Sequence, residues 1–140
     1  RIEKKTGALQ FMDKNRKFLL EEKAELPRQI ETLPAPRTWV YFNWSKKEKI
    51  SAKGILDDSL ERMNQKARYI SIDGKKLRMP LLISENGYGI GIAAENDVIC
   101  CDIPMYGPYV YTEKKEQIDY YFLYGGDYEH TLQLYKIIDK

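Results

Sequence analysis

The stretch RMPLLISENGYGI, residues 78–90, decides the fold. It holds a proline-led apolar run, an Asn86-Gly87 dipeptide and a second apolar run that begins near Gly89. Asn and Gly tolerate the positive φ angles that a tight hairpin turn needs, so the two runs are predicted to pair as antiparallel strands. A further run, IDYYFLYGG at residues 118–126, is rich in β-forming aromatic residues and ends in Gly-Gly. The last third of the chain is therefore predicted to form an antiparallel sheet.

Short β-forming runs continue upstream and between these segments. Residues 8–12 and 17–20 flank a polar loop of hairpin length, and Asp73-Gly74 after residues 67–72 is a second hairpin signal of the same kind as Asn86-Gly87. Short strands separated by turns at regular spacing are typical of an antiparallel β-sandwich or barrel. The remaining predicted strands cover residues 38–44, 89–94 and 98–103.

Two segments interrupt the strand pattern. Residues 21–36 are charged and contain three prolines, which predicts a connecting loop. Residues 50–64 are ambiguous, although Asp58 and Glu61 have the spacing of a capping box and would start a short helix.

The C-terminal segment has the periodicity of a helix. Tyr128, Leu132, Tyr135 and Ile138 recur at helical spacing, and Asp127 precedes them in the N-cap position. The overall prediction is an all-β antiparallel β-sandwich with one short C-terminal helix.

Bulk composition excludes several classes of function. The 140 residues suit one domain, and the 23 basic and 21 acidic residues are interspersed, which gives no clustered basic face for nucleic acid. No apolar run approaches the length of a membrane span, so no membrane partner is expected.

Cys100 and Cys101 are adjacent and should point to opposite faces of a strand, so they are not expected to bridge each other. Unpaired thiols suit a reducing compartment, which favours a cytoplasmic location.

The order of motifs between residues 80 and 138 resembles the end of the N-terminal β-sandwich of glycoside hydrolase family 31, the α-glucosidases and α-xylosidases. The resemblance implies a galactose-mutarotase-like sandwich over residues 1–140, N-terminally incomplete and preceding a (β/α)8 catalytic barrel that this sequence lacks. It implies a retaining parent enzyme acting on an α-linked oligosaccharide, with no metal or organic cofactor. The barrel would be the partner of the sandwich, and a missing edge strand makes a homo-oligomer possible.

The resemblance also directs the search for site residues. A retaining glycosidase needs two carboxyl groups about 5 Å apart. The adjacent pairs Asp57-Asp58 and Glu21-Glu22 are interpreted as solvated charges, so this chain is expected to be non-catalytic. By resemblance, Asp73 lies on a loop that would reach over the barrel and accept hydrogen bonds from sugar hydroxyls. The alternative is that Asp73 only serves the Asp-Gly turn.

The aromatic residues supply the other candidate site. Tyr106, Tyr109 and Tyr111 cluster around Pro104, Gly107 and Pro108, and would form a platform for sugar rings if they were exposed together. The alternative is ordinary packing with one wet edge. His130 is the only histidine and has no second ligand at helical spacing, so no metal site is predicted. Three functions stay open: a glycosidase domain, a free-standing carbohydrate-binding module, or a structural or interaction module.

Overall fold

The computed structural model describes residues 1–25, 28–45, 47–53, 61–71, 79–93, 97–113 and 117–139. Within these ranges the chain is an all-β, sandwich-like fold of antiparallel sheets with one short C-terminal helix, as the sequence predicts. The elements are β1 (Gln10–Met12), β2 (Phe18–Glu21), β3 (Arg28–Glu31), β4 (Arg37–Tyr41), β5 (Ile50–Lys53), β6 (Glu61–Arg62), β7 (Ala67–Ser71), β8 (Leu81–Ser84), β9 (Tyr88–Ala93), β10 (Val98–Cys101), β11 (Tyr109–Glu113), β12 (Asp119–Tyr124) and α1 (Tyr128–Ile138).

Two five-stranded sheets form the body of the fold. The first has the strand order β3-β4-β11-β10-β7 and is called the aromatic sheet below. The second has the order β12-β9-β8-β5-β6 and is called the helix-backed sheet. The chain passes from one sheet to the other between β4 and β5, β6 and β7, β7 and β8, β9 and β10, and β11 and β12. Strands that are far apart in sequence therefore lie side by side, and β4 pairs with β11.

The main core lies between the two sheets. Because successive strand residues point to opposite faces, each sheet contributes alternate side chains to this core. Val40, Cys100 and Val110 come from the aromatic sheet, and Leu82 and Ile90 from the helix-backed sheet. All five are almost fully buried. Burying a side chain of this size stabilises the fold by roughly 1.5–3 kcal/mol.

A second core lies on the other face of the helix-backed sheet, where α1 packs. Leu81, Ile83 and Leu123 meet the buried ring of Tyr135 there. Strand β8 is consequently buried on both faces, which explains the apolar run Leu81-Leu82-Ile83.

Glycine makes room for the helix. A Cβ atom at Gly89 would lie 3.1 Å from Thr131 Cγ2, and one at Gly91 would lie 2.8 Å from Met79 Cε. At Gly87, which has φ of +85°, the carbonyl oxygen accepts hydrogen bonds from Gly126 N at 3.0 Å and from Thr131 Oγ1 at 2.9 Å. The hairpin turn at Gly87 therefore also anchors the first turn of α1.

The β1–β2 hairpin is tied to both sheets through one buried carboxylate. Glu22 is 1% exposed and accepts hydrogen bonds from Leu9 N at 3.1 Å, Arg28 Nη2 at 3.0 Å and Tyr120 Oη at 2.7 Å. Arg28 belongs to β3 of the aromatic sheet, and Tyr120 to β12 of the helix-backed sheet. The Glu22 carboxylate therefore links the hairpin to the edge strand of each sheet.

Several local predictions are confirmed. The hairpin at Asn86-Gly87 joins β8 and β9, and residues 8–12 and 17–20 contain the paired strands β1 and β2. Asp127 caps α1, because its Oδ1 accepts a hydrogen bond from His130 N at 2.8 Å. Cys100 and Cys101 are buried, unpaired and on opposite faces of β10.

Two local predictions are wrong. Residues 21–36 are not only a loop, because β3 forms within them and pairs with β4. Glu61 does not belong to a short helix, since it lies in β6 opposite Ala52. The hairpin predicted at Asp73-Gly74 lies outside the described residues.

Candidate functional site

The three tyrosines predicted to form a platform fall into two places. Tyr109 and Tyr111 lie on the outer face of the aromatic sheet, two residues apart in β11. Tyr106 lies in the turn before that strand, where its amide donates to Ile103 O at 2.9 Å. Tyr106 is 64% exposed, whereas Tyr111 is only 8% exposed. Asp73 and the pair Asp57-Asp58 lie outside the described residues.

Aromatic rings from two adjacent strands cover this outer face. The register of β4 and β11 places Tyr111 opposite Trp39 and Tyr109 opposite Tyr41. The ring centroids are 4.9 Å apart in the first pair and 5.6 Å apart in the second. Facing pairs of this kind stabilise a sheet beyond the area that they bury. The rings lie against one another, so little of their faces is open to a ligand.

Burial affects the acidity of these phenols. It raises the pKa of Tyr109 to about 12, and a neighbouring Cys101 adds to this. Burial also raises the pKa values of Tyr41 and Tyr111. All three hydroxyls are therefore protonated and uncharged at neutral pH.

A cleft of about 290 Å³ opens at the end of the aromatic sheet and is called the Trp44 cleft below. It combines a lysine, two amides of asparagine, a glutamine, a carboxylate, an indole and two prolines. Its lining residues are Lys23, Asn43, Trp44, Asn64, Gln65, Asp102, Pro104, Gly107 and Pro108.

Asp102 holds the cleft together. Its Oδ1 accepts a hydrogen bond from Trp44 Nε1 at 2.9 Å, and its Oδ2 accepts from Gln65 N at 3.0 Å. The indole also stacks on Phe42, with centroids 5.7 Å apart and planes 14° apart. The Trp44 ring is therefore fixed before any ligand arrives, which lowers the entropy lost on binding.

Some polar side chains that line the cleft are already hydrogen-bonded within the protein, and others have groups available for a ligand. Asn64 Nδ2 donates to Glu48 O at 2.7 Å and its Oδ1 accepts from Ile50 N at 3.0 Å, so this side chain is a structural part of the wall. Gln65 is exposed with φ of +61°, and in the described part of the chain its side-chain amide has no hydrogen-bond partner. Asn43 uses its Nδ2 on Glu21 Oε1 at 3.0 Å. The Asn43 side chain is exposed, and its amide oxygen accepts no hydrogen bond from the described residues.

The turn at residues 103–107 forms one rim of the cleft and carries exposed Tyr106. Gly107 N donates to Ile103 O at 2.8 Å, and a Cβ atom on Gly107 would lie only 2.3 Å from Cys101 O. No larger residue fits there unless the turn moves. On the same side, Lys23 Nζ lies 5.8 Å from the centroid of the Tyr41 ring and donates to Gly107 O at 3.5 Å.

The described lining of the cleft offers several hydrogen-bonding groups and one carboxylate. Asp102 is that carboxylate, and it is already held by an indole and a backbone amide. A retaining glycosidase needs a second carboxyl about 5 Å away. In the part of the chain that the structure describes, no three His, Cys, Asp or Glu side chains come together as metal ligands. Within the same ranges, no helix is long and apolar enough to cross a membrane.

The sequence predicts the rim of the cleft but not its interior. The cluster of tyrosines around Pro104, Gly107 and Pro108 points to the turn that carries Tyr106. The pairing of Trp44 with Asp102 joins residues 58 positions apart and leaves no local signal in the sequence.

No family model, curated protein or solved structure matches this chain.

Proposed function

We propose that this domain binds carbohydrate without cleaving it, and that the sugar lies in the Trp44 cleft against Tyr106. The observation that carries the proposal is that open amide groups lie in one cleft with the fixed, mostly buried indole of Trp44, and that exposed Tyr106 lies on the turn at the rim of this cleft. Sugars present hydroxyls that both donate and accept, which matches side-chain amides, and apolar C–H faces that stack on aromatic rings. A concave site with few polar groups at fixed positions is the usual form of a small-molecule site.

We further propose a narrower role, as the non-catalytic N-terminal domain of a retaining α-glycosidase. The order of motifs between residues 80 and 138 supports this role. The aromatic outer face adds support, because Trp39, Tyr41 and Tyr109 would bury well against a second domain. The substrate would then be an α-linked glucoside or xyloside, and the loop that carries Asp73 would contribute to its selection. Reading the gene beyond the codon for Lys140 tests this role, because a following barrel would support it and a stop codon would contradict it.

A cytoplasmic location is part of the same proposal. Both cysteines are buried and unpaired, and such thiols persist most readily in a reducing compartment.

Tryptophan fluorescence provides a direct test of sugar binding. The chain has two tryptophans, Trp39 on the aromatic face and Trp44 in the cleft. In a Trp39→Phe variant the emission comes from Trp44 alone. Titration with maltotetraose, isomaltotetraose, xylotetraose, cellotetraose and mannotetraose should change this emission for at least one sugar. If none of them binds by fluorescence or calorimetry, the proposal fails.

The Tyr106→Ala variant then locates the site. Loss of one stacking ring should weaken the best sugar by about tenfold. Tyr121→Ala is the matched control, because Tyr121 is similarly exposed but lies on β12 in the other sheet. A Tyr109→Ala variant distinguishes the cleft from the platform on the aromatic face. If Tyr109→Ala abolishes binding while Tyr106→Ala leaves it intact, the ligand lies on the platform and not in the cleft.

A further inference from the structure

A second cleft adjoins the Trp44 cleft. It has a volume of about 190 Å³ and shares the walls Asn43 and Trp44 with its neighbour. Its other distinctive lining residues are Phe18, Glu21, Glu48 and Asn86. The two cavities therefore have one wall in common, the Asn43-Trp44 dipeptide.

The second cleft is built from fixed groups as well as open ones. Glu48 is 5% exposed, accepts a hydrogen bond from Ser45 N at 3.3 Å and receives another from the Ser84 hydroxyl. The same Ser84 hydroxyl accepts from Asn86 N at 3.0 Å, which fixes the backbone below the Asn86 side chain. Phe18, at the mouth, is 52% exposed and offers a free ring. The combination of a free ring with amide groups repeats the chemistry of the Trp44 cleft.

We propose that the two clefts form one elongated site, which takes a linear oligosaccharide passing Asn43 and Trp44 from one cavity to the other. This inference rests on the proposed sugar binding and extends it from a single sugar unit to a chain. Neither cavity is large by the standard of ligand pockets, which commonly span about 300–1,000 Å³, whereas the two together reach that range. Because the shared indole is held by Asp102, both sugar units would meet a rigid wall.

The charges around the joined site select against acidic sugars. Glu21, Glu48 and Asp102 line it, and Lys23 is the one basic residue among its lining residues that the structure describes. A uronate or sulfate in this site would place a negative charge beside these three carboxyl groups, of which Glu48 is buried. The ligand class is therefore a neutral oligosaccharide.

A length series tests the elongated site. The di-, tri- and tetrasaccharide of the tightest-binding sugar in the fluorescence panel are titrated into the full chain by calorimetry. The tetrasaccharide should bind at least about tenfold more tightly than the disaccharide, as expected when two linked units bind at adjoining places. Tetragalacturonate should bind at least about tenfold more weakly than the neutral tetrasaccharide.

Variants in the second cleft locate the additional contacts. Phe18→Ala and Asn86→Ala change exposed side chains, and each should reduce tetrasaccharide affinity toward that of the disaccharide while leaving disaccharide affinity unchanged. Tyr106→Ala should weaken both ligands. Equal affinity for the two lengths, or no effect of either second-cleft variant, overturns the elongated site but leaves binding in the Trp44 cleft standing. Absence of binding by every sugar overturns both.

Discussion

The outer faces of the two sheets are covered in opposite ways. On the helix-backed sheet, β9 presents Gly89, under Thr131 of α1, and Gly91, under Met79 and Ile138. On the aromatic sheet, β4 and β11 present Trp39 and Tyr111, whose rings lie against each other. No described helix packs on this second face.

This difference shows how side-chain size determines what can cover a sheet. Glycines leave no side chain above the strand, so the backbone of a helix can approach and seal the face with its own apolar residues. Large aromatic residues shield the sheet by themselves, keep a helix at a distance and leave their outer edges available for a partner. The proposed packing surface is therefore the face that the chain does not cover with its own helix.

The largest expected effect on stability is at Gly87, on the face of the helix-backed sheet that α1 covers. Gly87→Ala forces φ of +85° on a residue with a side chain and places Cβ 2.4 Å from Gly126 C. We expect a loss of about 3 kcal/mol in the free energy of unfolding, measured by urea denaturation. Gly126→Ala is the control, because its φ is +84° and no atom lies within 4 Å of the new Cβ. It should cost about 1 kcal/mol. Equal losses would mean that the helix can move away at no cost.

The next largest effect on stability is expected on the outer face of the aromatic sheet, which no described helix covers. Trp39→Ala removes the ring that packs on Tyr111 and lies below the Arg37 guanidinium. Because Trp39 is only half-buried, we expect a loss of about 2 kcal/mol, below the range for a fully buried tryptophan. Tyr69→Ala, on the exposed edge strand β7, should stay within about 0.5 kcal/mol of the unaltered protein. A Trp39→Ala loss above about 4 kcal/mol would show that this face is as well sealed as the other.

A smaller effect is expected from Tyr135→Phe on the sealed side. The Tyr135 hydroxyl is buried and donates to Met79 O at 2.6 Å. Its removal should cost about 1 kcal/mol without changing the apolar contacts of the ring. The exposed Tyr124→Phe change on β12 is the control and should leave the unfolding curve in place. If both variants behave alike, the hydroxyl does not hold the helix.

The smallest expected effect is a pH dependence of the stability that Tyr109 contributes on the outer face of the aromatic sheet. Burial raises the pKa of Tyr109 to about 12 from an ordinary value of 10.0, so the folded protein keeps this proton while the unfolded chain loses it. This contribution to stability is complete below pH 10 and is lost as the pH rises toward 12. Tyr109→Phe should therefore lose less stability than the unaltered protein between pH 10 and 12. If the free energy of unfolding of the two proteins changes with pH in the same way, the raised pKa of Tyr109 is contradicted.

The local features of the fold could be predicted from the sequence, because short-range physics controls them. Asn86-Gly87 specifies a hairpin whatever the rest of the chain does, and Asp127 caps the nearest helix. The helix periodicity from Tyr128 likewise depends only on spacing along the chain. Each of these features is complete within about a dozen residues.

The long-range features could not be predicted in this way. The sequence does not show which strands become neighbours, and β7 pairs with β10 although β8 and β9 lie between them in the chain. Strand β3 lies in a proline-containing segment and has no clear strand signal in the sequence. Its pairing with β4, and not its own β-propensity, stabilises it. The candidate site has the same origin, since Trp44 and Asp102 follow β4 and β10, two strands that are distant in sequence and lie on either side of β11 in the aromatic sheet.

The contacts of Met79 make one amide a reporter on the whole C-terminal helix. Its N–H donates to Asp139 Oδ1 at 2.9 Å and its carbonyl accepts from Tyr135, so both polar backbone groups of this residue are held by the end of α1. Deuterium can replace the Met79 amide proton only when that end of the helix lifts away. The amides of neighbouring β8 are held by other strands and exchange when the sheet opens. If the Met79 amide exchanges well before the amides of β8, then α1 detaches from the sheet as a separate unit. The difference between the two exchange times measures how strongly the C-terminal helix is held to the sheet.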